Sequence, residues 1–128
     1  MESRTIAATD RSPEVRLDVA NRTISFTGEA YPEDAAAFWG PILQEMQSIL
    51  EQEPKEPLQV DFRLAYFNSS SAKALMNIFQ LLESAAETGS KIRVHWYFQD
   101  GDDTIEESGE DFSEDLKAVE FESIKLAP

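Results

Sequence analysis

Hydrophobic and polar positions alternate in "EVRLDVANRTISFTG" on both sides of a short polar break. Val15, Leu17 and Val19 share one face of the first run, and Ile24 and Phe26 share one face of the second. A period of two around Asn21-Arg22 predicts a β-hairpin. The next segment, "YPEDAAAFWGPILQEMQSILEQEP", changes period. Phe38, Ile42, Met46, Ile49 and Leu50 recur as one helical stripe, the pattern of a helix packed on a core. Pro32 and Glu33 suit its first turn, where a missing N–H is harmless and a carboxylate meets the positive end of the dipole. Pro41 lies inside the stripe and predicts a kink or a later start.

"PLQVDFRLAYF" returns to period two, with Leu58, Val60, Phe62 and Leu64 on one face. A second helix is predicted from about Ser70 to Glu87, with the stripe Ala72, Leu75, Phe79, Leu82 and Ala86 and with Gly89 as its C-terminal cap. "KIRVHWYF" predicts another strand, with Ile92, Val94, Trp96 and Phe98 inward. The acidic run "QDGDDTIEESGEDFSEDLK" holds a short third helix, and "AVEFESIKL" a last strand. Residues 1–13 read as a flexible arm, and 14–128 as a single domain of order β-β-α-β-α-β-α-β. Strands with one apolar face imply a mixed α/β sheet whose helices lie mainly on one side.

Composition narrows the function classes. The chain has 128 residues, enough for one core. It holds 25 Asp and Glu against 11 Lys and Arg, a formal net charge of −14. Nucleic acid and anionic membrane surfaces repel such a chain, whereas a protein with a basic face suits it. No apolar run reaches the length of a membrane span, and "MESRTIAATDRSPE" lacks the apolar region of a secretory signal. These features lead to the expectation of a cytoplasmic protein without membrane insertion.

Chemistry-bearing patterns are few. There is no cysteine, so thiol nucleophiles and Cys-zinc sites are excluded. The one histidine, His95, stands on the polar face of a predicted strand with no second histidine. Neither a nucleophile elbow nor a phosphate-cradling glycine loop is present. Asp100, Asp102 and Thr104 have the alternate spacing of a calcium loop, but Ile105 stands where the loop needs Gly. The reading is therefore of no catalytic residue, no metal and no cofactor.

What remains is "FNSSS", at the junction of strand and helix. Asn and Ser are strong N-caps, but a cap needs one residue, and here four polar residues follow one another, Asn68 to Ser71. Strand-to-helix loops of α/β folds carry function. A phosphate there adds about −1.5 to −2 charges beside the positive end of the helix dipole. The fold tolerates it while the local surface charge inverts.

The unit "VDFRLAYFNSSSAKALMNI" resembles the strand-loop-helix of STAS domains, the anti-sigma factor antagonists, whose D-S-S-G loop is phosphorylated on serine. Asn68 stands where those have Asp, and Ser71 where they have Gly. The chain resembles the SiaC family of bacterial regulatory phosphoproteins more closely. Tyr31-Pro32-Glu33 matches its "YPE"; Asp61, Arg63, Leu64, Tyr66, Asn68, Ser69, Ser70 and Ser71 match "D-x-R-L-x-Y-x-N-[ST]-S-S". Glu110, Phe112, Glu114 and Asp115 match its acidic "E-x-F-x-E-D" helix. The resemblance implies a STAS-like domain that is not an enzyme and that switches partners by serine phosphorylation. It assigns the phosphate to Ser69, with Ser70 as second choice from the STAS alignment. Asn68 and Ser70 shape the loop, Ser71 serves as a cap, and Tyr66 and Lys73 join them on the partner face. The implied partners are a histidine-kinase-like ATPase acting as a Ser/Thr protein kinase, a PP2C-type phosphatase, and a diguanylate cyclase bound by the unphosphorylated form. That places the chain in cyclic-di-GMP and biofilm signalling. The alternative is an anti-sigma factor antagonist that binds an anti-sigma kinase.

Overall fold

The computed structural model describes residues 2–127. Its elements are β1 (Arg4–Ile6), β2 (Glu14–Asp18), β3 (Thr23–Ala30), α1 (Ala35–Glu51), β4 (Leu58–Phe67), α2 (Ser69–Glu87), β5 (Ile92–Gln99), α3 (Asp103–Ser113) and β6 (Glu120–Leu126). The six strands lie in one sheet in sequence order. The pairs β1–β2 and β2–β3 are antiparallel, and β3, β4, β5 and β6 run parallel. Each helix thus crosses between two adjacent parallel strands. With the strands always added in the same direction, crossovers of one hand put all three helices on the same face. Val15, Leu17, Ile24, Phe26, Leu58, Val60, Phe62, Val94 and Trp96 are buried on that face, and the residues between them form a polar, open one.

Two expectations need correction. Residues 4–6 do not belong to a free arm: Arg4 pairs with Leu17 and Ile6 with Val15, so β1 adds an edge strand ahead of the hairpin. Three residues with one apolar position are too short to show a period. Ser12 and Pro13 are buried as well. In addition, α1 starts after Pro32-Glu33. Asp34 is its N-cap, and the Asp34 carboxylate accepts from the Ala37 N–H at 3.0 Å. The helix runs on through Pro41, which forfeits only its own N–H bond to the turn before. The buried stripe is centred on Trp39, Ile42, Met46, Ile49 and Leu50. Phe38 is half-buried and meets Trp39 edge-on, ring centroids 5.0 Å apart.

Aromatic side chains tie the helices to the sheet. Phe62 stacks on Phe26 at 5.0 Å and tilts against Phe79 of α2 and Trp96 of β5. The Trp96 indole donates to the Ile105 carbonyl at 2.8 Å, which fastens the start of α3. Gly109 of α3 lies directly over the same ring: a Cβ there would sit 2.5 Å from Trp96 Cδ1. At the β2–β3 turn Arg22 takes φ +54°. Its guanidinium donates to the Glu56 carbonyl at 2.9 Å, which holds this unfavourable backbone in place.

Candidate functional site at the start of α2

The serine loop is held from three sides. At the end of β4 the Asn68 N–H donates to the Ala30 carbonyl of β3 at 3.0 Å. The Asn68 side-chain oxygen then accepts from the Ser71 N–H at 2.9 Å, and its carbonyl accepts from the Ala72 N–H at 2.9 Å. Asn68 is therefore the N-cap, and Ser69, Ser70 and Ser71 are the first three helical residues. Ser71 does not cap the helix. Its hydroxyl turns inward, fully buried, and accepts from the Trp39 indole N–H of α1 at 3.0 Å. The expectation that Ser71 belongs to an exposed loop is corrected accordingly.

Ser69 and Ser70 point the other way and are exposed. As first and second residues of α2, their N–H groups have no partner within the helix, and no acidic side chain stands in its first turn. Lys73 is exposed four residues after Ser69 and three after Ser70, on the same helix face. In a chain of net charge −14, the dipole of α2 and the Lys73 ammonium both present positive charge at this helix end, while exposed Glu29 pairs beside Tyr66 on the sheet.

Tyr66 reaches the same end of the sheet through a bulge. Gly28 pairs with Leu64, but the next residue, Glu29, pairs with Tyr66, so Ala65 is left over. Strict alternation after Leu64 would bury Tyr66. The extra residue reverses it: Tyr66 is 51% exposed, whereas Phe67 turns inward against Trp96 and Phe112. Gly28 takes φ +122° at the bulge, and a Cβ there would lie 3.6 Å from Pro13 Cα. Tyr31, next to the end of β3, meets Tyr66 edge-on at 5.8 Å. Tyr31 and Trp39 are the site residues that local spacing misses, since each acts on a partner more than thirty positions away.

The other chemistry-bearing residues lie elsewhere. His95 is on the open sheet face with Nδ1 3.7 Å from the Asp61 carboxylate, and no serine bonds to it among the described residues. Asp102 caps α3, accepting from the Ile105 N–H at 3.1 Å. Among the described residues no group of three or more His, Asp or Glu is gathered to hold a metal ion. No helix of the described residues is long and apolar enough to cross a membrane. Glu83, in the second half of α2, is buried. Burial pushes its carboxyl up, but bonds from the Ala118 and Val119 N–H groups prevail and hold it below the ordinary value. Asp18, at the hairpin turn, is held below its ordinary value by the side chain and N–H of Asn21.

A family model described as SiaC family regulatory phosphoprotein matches residues 6–126. An uncharacterized protein of Pseudomonas aeruginosa (strain UCBPP-PA14) is 32% identical over 110 residues, 86% of each chain. The fold is similar to a chain in the crystal structure of the diguanylate cyclase SiaD in complex with its activator SiaC from Pseudomonas aeruginosa. That match has TM-score 0.90 and 29% identity, and covers 96% of this chain and 99% of the other. It is also similar to apo-SiaC from the same organism, with TM-score 0.86 and 30% identity over 99% of this chain and 100% of the other.

Proposed function

The chain belongs to the SiaC family of regulatory phosphoproteins, and from that premise we propose that it is a non-enzymatic partner switch whose setting is the phosphorylation state of Ser69. The observation that carries this is the division of labour in the loop. Asn68 and Ser71 are consumed in holding α2, which leaves Ser69 exposed at an anchored helix start, three residues after exposed Tyr66. Ser70 shares the exposure, but Ser69 is the residue next to the cap.

In the unmodified state the neutral loop, Tyr66 and Lys73 form the face that engages a diguanylate cyclase. The 29% identical SiaC, named as an activator in complex with such a cyclase, supports this partner over an anti-sigma kinase. A histidine-kinase-like ATPase adds the phosphate, transferring the γ-phosphoryl of ATP to the Ser69 oxygen, and a PP2C-type phosphatase removes it by hydrolysis. The dianion is compatible with the fold, because a helix N-terminus favours negative charge by about 0.3–1 kcal/mol when exposed. It is incompatible with a partner surface fitted to a neutral hydroxyl, where a mismatched charged contact costs about 2–5 kcal/mol.

Intact mass and phosphosite mapping on protein from its native cell test the site. One phosphate on Ser69, absent from Ser69→Ala, is the expected result. Phosphate found only outside residues 69–71 would remove the reading. Purified protein is expected to hydrolyse neither ATP nor simple esters; turnover abolished by a point mutation in this chain would contradict the non-enzymatic role.

A further inference from the structure

Between α2 and α3 lies a groove of about 460 Å³, separate from the serine loop. Half-buried Phe112 and Leu116 make a small apolar floor, with Phe79 buried beneath them, and Gln80 and Ser84 line the α2 side. Met76, 47% exposed, stands at its side as an unbranched, adaptable apolar contact. The rim is acidic, with Glu87, Asp111 and Asp115, and no Lys or Arg lines it. None of the three carboxylates is ion-paired among the described residues, although Glu14, Glu33, Asp100 and Glu120 elsewhere on the surface each take an Arg or Lys.

The placement of these carboxylates works against the isolated chain. Glu87 is the last residue of α2, Asp111 lies in the last turn of α3, Asp115 just follows it, and neither last turn contains a basic residue. Negative charge at a helix C-terminus is unfavourable. Two helices therefore bring their negative ends, and three uncompensated carboxylates, to the rim of one apolar groove.

We infer that this groove docks a basic amphipathic helix of a protein partner, with aliphatic anchors on Met76, Phe112 and Leu116 and Lys or Arg against the rim. An anchor-in-groove helix fits both the apolar floor and the length of α3, about 16 Å for its 11 residues. The sign of the charge excludes nucleic acid and anionic lipid, and a second copy of a −14 chain is repelled. Glu87 lies 18 residues beyond Ser69 in α2, about 27 Å along the axis and well past the screening length of about 8 Å. Met76, the nearest part of the groove, is seven residues beyond Ser69, about 10 Å along the axis and still past one screening length, so docking depends little on the state of Ser69 and the groove tethers a partner in both settings of the switch.

The probe is a Leu/Lys amphipathic peptide of four helical turns, titrated into the isotope-labelled full chain at physiological salt, with a Leu/Glu peptide as control. Saturable NMR shifts confined to α2 and α3 are expected. Affinity is expected to fall about tenfold in Asp111→Asn/Asp115→Asn, to fall in Met76→Ala, and to stay within about twofold in Ser69→Asp. The double variant is also expected to raise the thermal midpoint of the free chain. A distant pair, Glu53→Gln/Glu56→Gln, controls for general attraction to an acidic protein. Equal weakening by both pairs, shifts scattered over the surface, or binding of the Leu/Glu peptide would overturn the inference.

Discussion

Ser71 sends its hydroxyl inward to the Trp39 indole and gives its N–H to the Asn68 side chain. Removing that hydroxyl leaves a buried indole N–H without a partner, which costs about 1–3 kcal/mol. Ser71→Ala is therefore expected to lower the urea midpoint, while Ser70→Ala, on the exposed side, stays within about 0.5 kcal/mol of wild type. Equal midpoints for both would contradict the inward role of Ser71. Asn68→Ala is expected to lose about 0.5–2 kcal/mol through its cap. The "NSSS" run announced a helix start and an excess of hydroxyls. Which hydroxyl turned inward was not legible, because the deciding partner, Trp39, lies 32 positions away on another helix. Likewise, the resemblance put Tyr66 on the outer face but the hydrophobic period alone would turn it inward, because the bulge at Ala65 and the φ of Gly28 that permits it leave no trace in that period.

Among the elements, the strands and helices with strong periodicity were the legible ones. The strand "LQVDFRLAYF" and the helix that follows it appear where alternation and the 3.6 period put them. Strand β1 was missed because its three residues owe their conformation to pairing with β2 and not to any pattern of their own. The attachment of α3 depends on one small residue. Gly109→Ala gains up to about 1 kcal/mol in helix propensity, but its methyl meets a Trp96 ring that is buried and pinned by the Ile105 carbonyl. Overpacking of about 1–3 kcal/mol prevails, so a lower thermal midpoint is expected; a higher one would mean that the ring moves aside. Helix α2 also anchors the start of the edge strand β6, through Glu83 and the N–H groups of Ala118 and Val119. The Glu83 carboxyl is depressed in the folded state from its ordinary 4.5. Its contribution is therefore fully present above that value and is lost as pH falls below it and through the lower folded value. Glu83→Gln is expected to destabilise by about 1–3 kcal/mol near neutrality and by progressively less in acid. A difference from wild type that stays constant from neutral pH to about pH 3 would refute this.

At the scale of the molecule, a sheet with monotonic strand order puts three helices on one face and brings the ends of β3 and β4 to the start of α2. Asn68 bonded to Ala30 is the direct result, and it anchors the helix start on which the exposed Ser69 sits. The acidic composition was legible as a preference for basic protein partners, but the gathering of its unpaired carboxylates around one groove required the packing of α2 on α3. The central claim is that this platform is read by a partner according to the charge on Ser69. The most direct measurement is the affinity of the chain for the diguanylate cyclase proposed as its partner, by calorimetry, for wild type, Ser69→Ala and the Ser69-phosphorylated protein. Equal affinity is expected for wild type and Ser69→Ala. Phosphorylation is expected to lower it by roughly 30-fold to several-thousandfold, the equivalent of about 2–5 kcal/mol, with the circular dichroism spectrum unchanged. The same affinity for all three forms would contradict the central claim.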